Sequence, residues 1–67
     1  MKAIADLLST QGVTGTVVLQ DDGWRHVVLK CRDKMGYVKS LEGLLKTEED
    51  GENFAKVFLE NILMREL

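Results

Sequence analysis

Hydrophobic and polar residues alternate most regularly from Thr16 to Lys30, where two runs rich in β-branched residues flank Asp21-Asp22-Gly23. Such runs on either side of an Asp/Gly turn predict a β-hairpin. Loop length then matters, because a one-residue slip moves every side chain to the opposite face. A two-residue Asp22-Gly23 loop pairs Val17 with Val28 and Leu19 with His26, leaving both faces mixed. A three-residue Asp21-Asp22-Gly23 loop pairs Val17 with Val27, sets Gly15 against Leu29 and brings Val13 toward Cys31. That register gathers Val13, Val17, Leu19, Val27, Leu29 and Cys31 on one apolar face. Thr14, Thr16, Val18, Gln20, Trp24, His26, Val28, Lys30 and Arg32 take the other. Glycine in third place suits the left-handed conformation that ends a type I turn, so the three-residue loop is preferred.

The flanking segments complete the pattern. Ile4, Leu7 and Leu8, with Ala3 beside them, form a short helical stripe over residues 2–10, and Gly12 stands where a C-terminal helix glycine is expected, with Val13 as its apolar companion. Residues 33–46 fit two periods. Val38, Leu41, Leu44 and Leu45 make a helical stripe, while Gly36 and Gly43 bracket Tyr37 to Glu42 as a third strand; two interior glycines and the Tyr-Val pair favour the strand. Thr47-Glu-Glu-Asp-Gly-Glu-Asn is acidic and rich in capping residues, which predicts a last helix from Glu52 to Arg65. Phe54, Val57, Phe58, Asn61 and Ile62 form its core stripe. Ala55, Leu59, Leu63, Met64 and Leu67 widen the apolar arc beyond one sheet face, a sign of a second contact surface. The expectation is a single α+β domain over residues 1–67: helix, antiparallel hairpin or three-stranded meander, helix, with both helices on one sheet face.

Composition narrows the class of protein. A chain of 67 residues buries only about 60% of its unfolded surface, so its core is thin. One cysteine, Cys31, and one histidine, His26, give neither an internal disulfide nor a zinc-type cluster, and no metal or cofactor is expected. A lone cysteine suits a reducing cytoplasm. No apolar run reaches transmembrane length, and Asp6 interrupts the first apolar stretch, which argues against a signal peptide. The net charge is −2, unevenly placed. Arg25, Lys30, Arg32, Lys34 and Lys39 face only Asp33 within residues 24–39, whereas the acids outnumber Lys46, Lys56 and Arg65 from residue 40 onward.

Candidate chemistry is sparse. Trp24, Arg25, His26, Lys30, Arg32 and Lys34 combine an aromatic ring with phosphate-pairing cations, a set suited to RNA or single-stranded nucleic acid. The same alternation is what any solvent-facing strand shows. His26 is the one candidate general base, with Asp21 or Asp22 to orient it, but no nucleophile adjoins it and Cys31 falls on the other face. Asp21-Asp22-Gly23 lacks the later ligands of a calcium loop, and Gly12-Val-Thr-Gly15 lacks the lysine and helix of a phosphate loop. Glu48, Glu49, Asp50 and Glu52 are read as an acidic helix start rather than a cation site. No catalytic residue and no small-molecule substrate is assigned.

Ala5-Asp-Leu-Leu8, Gly12-Val-Thr-Gly-Thr-Val-Val-Leu19 and Asp22-Gly23 resemble the opening helix and hairpin of roadblock-type dynein light chain domains. That resemblance covers less than half of the chain, which is too short for the family's later strands, and implies a dimeric adaptor. A helix–three strands–helix order is similar to double-stranded-RNA-binding domains, although the acidic Glu48–Glu52 stands where those begin their second helix with basic and small residues. Neither resemblance identifies a family. The function expected is that of a small, non-enzymatic cytoplasmic regulator or adaptor binding a protein partner or a second copy through Leu59, Leu63, Met64 and Leu67. The alternative is a nucleic-acid-binding module using the basic and aromatic face of the hairpin.

Overall fold

The structure, a computed structural model, describes residues 1–63. Along the chain run α1 (Lys2–Leu8), β1 (Thr14–Leu19), β2 (Arg25–Arg32), β3 (Val38–Leu45) and α2 (Glu48–Phe58), followed by a π-helical turn, Leu59–Leu63. The strands form one antiparallel sheet in the order β1-β2-β3. This is the expected α+β domain, with the meander as the form it takes.

The first hairpin has the three-residue loop. Val17 pairs with Val27 and Gly15 with Leu29. Gln20 N–H donates to the Trp24 carbonyl at 2.7 Å, Gly23 N–H donates to Gln20 at 3.1 Å, and Gly23 holds φ +88°. The second hairpin repeats this geometry. Asp33 N–H donates to Tyr37 at 2.9 Å, Gly36 N–H donates to Asp33 at 3.0 Å, and Gly36 also holds φ +88°. Asp33 Oδ1 closes that loop by accepting from the N–H groups of Met35 and Tyr37, each at 2.9 Å. Residues 38–45 are thus a strand, and Gly43 lies inside it rather than at its end. The ring of Phe54 covers Gly43 so closely that a Cβ there would stand 3.0 Å from Phe54 Cε2. An aromatic ring over a strand glycine restores the contact that the missing side chain gives up.

Both helices depart from the expected boundaries, each for a capping reason. α1 ends at Leu8 because Ser9 Oγ and Thr10 Oγ1 donate to the Asp6 carbonyl, at 2.7 and 3.2 Å, and take up a free C-terminal acceptor. Gly12, at φ +85°, serves the turn into β1. α2 begins at Glu48, four residues before Glu52. Thr47 Oγ1 accepts from Asp50 N–H at 3.1 Å while Asp50 Oδ2 accepts from Thr47 N–H at 3.1 Å, a reciprocal capping box. Gly51 lies within the helix, buried with the Met1 side chain beside it.

The core consists of Ile4, Leu7, Val13, Val27, Leu29, Cys31, Leu45, Phe54, Ala55 and Phe58. Odd-numbered strand residues face the helices, as the register requires. Four residues expected in the core are outside it: Val17 is 43% exposed, Leu19 66% and Val57 43%, and Asn61 is exposed, its amide donating to the Val57 carbonyl at 3.1 Å. Leu59, Ile62 and Leu63 pack against the core as half-buried residues. Met64, Arg65 and Leu67 lie outside the described residues.

Two substitutions test this packing. Phe58 is fully buried, and Phe58→Ala should cost about 3–5 kcal/mol, comparable to the whole stability of a domain this small, so cooperative thermal unfolding should disappear. A Cβ on Gly15 would stand 2.1 Å from the Val28 carbonyl oxygen, which is backbone and cannot rotate away. Gly15→Ala should therefore destabilise by about 2 kcal/mol or more in urea titration, and unchanged stability would contradict the β1–β2 geometry.

Candidate functional site

Register and cover together single out β1. Gln20 donates to Trp24 across the hairpin, so Gln20–Trp24 is a hydrogen-bonded pair and every second pair after it is too. Thr14, Thr16 and Val18 thus direct their N–H and C=O groups to β2. Gly15, Val17 and Leu19 direct theirs to the free edge. The side chains of Val17 and Leu19 lie on the helix side, but the helices pack over β2 and β3, where α2 meets β3 and Val27 and Leu29 are fully buried. All six residues of β1 are exposed. With Val18 53% exposed on the other face, an apolar strand lies bare on both faces and along its edge.

The two edges of the sheet differ in chemistry. From Gly12 to Gln20 there is no charged residue, whereas β3 carries Lys39 and Glu42 and is followed by Lys46. Charges on an edge strand discourage pairing with another chain, and their absence leaves the backbone open to it. This site was missed in the sequence because Val17 and Leu19 have the alternation of core residues. The readable signal was the uncharged run from Gly12 to Gln20.

The candidate nucleic-acid residues are distributed over different places. His26, Lys30 and Arg32 lie on the outer face, where His26 Nε2 is 3.1 Å from Glu42 Oε2 and Arg32 Nη1 donates to the Gly36 carbonyl at 2.7 Å. Arg25 is half-buried on the helix side. Trp24 borders a cleft of 390 Å³ with Leu44, Leu45, Phe54 and Val57, and Lys46 Nζ stands 5.5 Å from its ring centre. Lys34 is in the second loop. Lys30 and Arg32 share a depression with Gly12, Thr14, Cys31 and Val38. Asp22 Oδ1 accepts from Trp24 N–H at 3.0 Å, which gives it a turn-closing role rather than one beside His26. Among the described residues, no three His, Cys, Asp or Glu side chains converge as metal ligands would. None of the described helices is long and apolar enough to cross a membrane.

The acidic start of α2 is engaged within the fold. Glu48 Oε1 lies 2.9 Å from the Met1 ammonium, and Oε2 accepts from Lys2 N–H at 3.2 Å, satisfying a donor at the start of α1. Those two contacts, the ammonium first, hold its pKa below the ordinary 4.5. Hydrogen bonds from the N–H groups of Thr47 and then Lys46 hold Asp50 below 3.8.

No protein-family model, curated protein or solved structure gives a significant match to the chain.

Depressed carboxylates bind protons more weakly folded than unfolded, so their contribution is complete above the ordinary values and is lost as pH falls through them. The thermal midpoint should therefore hold from neutral pH to about 5 and fall below that. Glu48→Gln with Asp50→Asn should lower the midpoint at neutral pH and flatten the acid decline. An acid decline as steep as in the parent would contradict these assignments.

Proposed function

We propose that the chain is a small non-enzymatic protein-binding module, a regulator or adaptor, that accepts an extended partner strand along β1. The observation that carries this reading is the bare, uncharged β1 edge, with Val17, Val18 and Leu19 exposed beside outward N–H and C=O groups. Strand addition draws affinity from main-chain hydrogen bonds and specificity from alternate side chains, and β1 offers both. Leu59 and Leu63 already pack on the core, which moves the weight of the interaction from the C-terminal helix to the strand. The single buried cysteine suits a reducing cytoplasm.

A second reading rests on Lys30 and Arg32, which share one end of the outer face near the loop that holds Lys34. It makes that end a nucleic-acid contact, with phosphate pairing as its main source of affinity.

Extended peptides selected on the protein from a displayed library separate the two. Bound peptide should shift and slow the exchange of the Gly15, Val17 and Leu19 amides, and Val17→Lys should weaken it about tenfold. Peptides that perturb only other surfaces would overturn the strand-addition reading. A salt-dependent RNA or DNA complex, lost in Lys30→Glu with Arg32→Glu, would establish the second in its place.

A further inference from the structure

We infer that the strand β1 accepts is the β1 of a second copy, antiparallel and centred on Val17, so that two sheets join into one of six strands. This rests on the strand-addition reading above and names its partner. Gly15, Val17 and Leu19 present their backbone groups outward, and Val17 is the middle of the three. A twofold axis at Val17 sets Val17 against Val17 and Leu19 against Gly15 of the other copy, so every outward N–H and C=O on these residues finds a partner. Leu19 then crosses a position without a side chain.

Charge selects the direction and the partner. One end of β1 adjoins the exposed Asp21 and Asp22, and the other adjoins Gly12 and Thr14, which lie beside Lys30 and Arg32. Antiparallel pairing brings the acidic turn of each copy to the basic end of the other. Asp22 stands opposite Gly12, the residue that separates it from Arg32 of the neighbour and has no side chain to obstruct the approach. Parallel pairing would instead put two Asp21-Asp22 turns side by side, an unfavourable arrangement. The pairing also closes. Both bare edges are used, and the outer edges of the six-stranded sheet are β3 strands bearing Lys39 and Glu42, which resist further addition.

Sedimentation of the full chain and oxidative cross-linking test this together. The chain should sediment as a dimer that dissociates on dilution, and Val17→Lys should weaken it about tenfold or more. In a Cys31→Ala background, Val17→Cys should cross-link on oxidation, because a hydrogen-bonded antiparallel pair holds its Cα atoms about 5.5 Å apart, within disulfide range. Leu19→Cys should cross-link several-fold less, since its two copies stand about 13 Å apart in this register. A chain that stays monomeric up to millimolar concentration would overturn self-pairing and leave strand addition to a different protein. A dimer indifferent to Val17→Lys, or an open-ended ladder, would overturn self-pairing and also remove β1 as the binding site.

Discussion

Gly23 and Gly36 each hold φ +88° at the end of a three-residue loop, and the rest of the molecule depends on the registers they set. The left-handed conformation is inexpensive only for glycine, so each loop is closed where the chain places it. With β2 shared by both hairpins, the two loops send odd-numbered side chains to one face throughout the sheet. Adding or removing one loop residue would turn Val27 and Leu29 outward and bring Lys30 and His26 against the helices. The core and both sheet edges follow from these two turns.

What the register cannot provide is cover. α2 has 11 residues, and at 1.5 Å each it reaches about 16 Å, whereas the eight-residue strands extend about 26 Å. The helical layer is fastened to the β3 side by the Phe54 ring on Gly43 and to itself by Glu48 at the start of α1. Held there, it leaves β1 uncovered. Val17 and Leu19 therefore have core periodicity without a core around them. An apolar strand in that position invites association, and the charged β3 edge limits how far association can proceed.

The first hairpin was legible in the sequence because a glycine at the right position selects among a few loop geometries. Residues 33–46 were harder, since Val38, Leu41, Leu44 and Leu45 satisfy a helical and a strand period alike. Two glycines and the Tyr37-Val38 pair favoured the strand; the structure adds a signal that was not used, Gly36 standing third after Asp33 as Gly23 stands third after Gln20. The start of α2 was placed too late because the whole acidic run from Thr47 was read as the approach to the helix, whereas the Thr47–Asp50 capping box starts it at Glu48. Exposure of β1 was not legible as burial, because cover is set by where the helices dock and not by alternation within the strand. Only its lack of charge was written in the sequence. Trp24 was read on one face with His26, Lys30 and Arg32, yet it borders the α2 cleft, because it precedes β2, while Arg25, expected at the turn, begins β2 with the inward parity.

Residue-resolved amide hydrogen exchange at low protein concentration tests the central claim, that β1 is a register-locked strand with an open edge. Val27, Leu29 and Cys31, in the central strand, should exchange most slowly, and Thr14, Thr16 and Val18 should be protected by β2. Gly15, Val17 and Leu19 should exchange orders of magnitude faster than those neighbours. Equal protection of odd and even residues along β1, with the chain monomeric, would contradict the account.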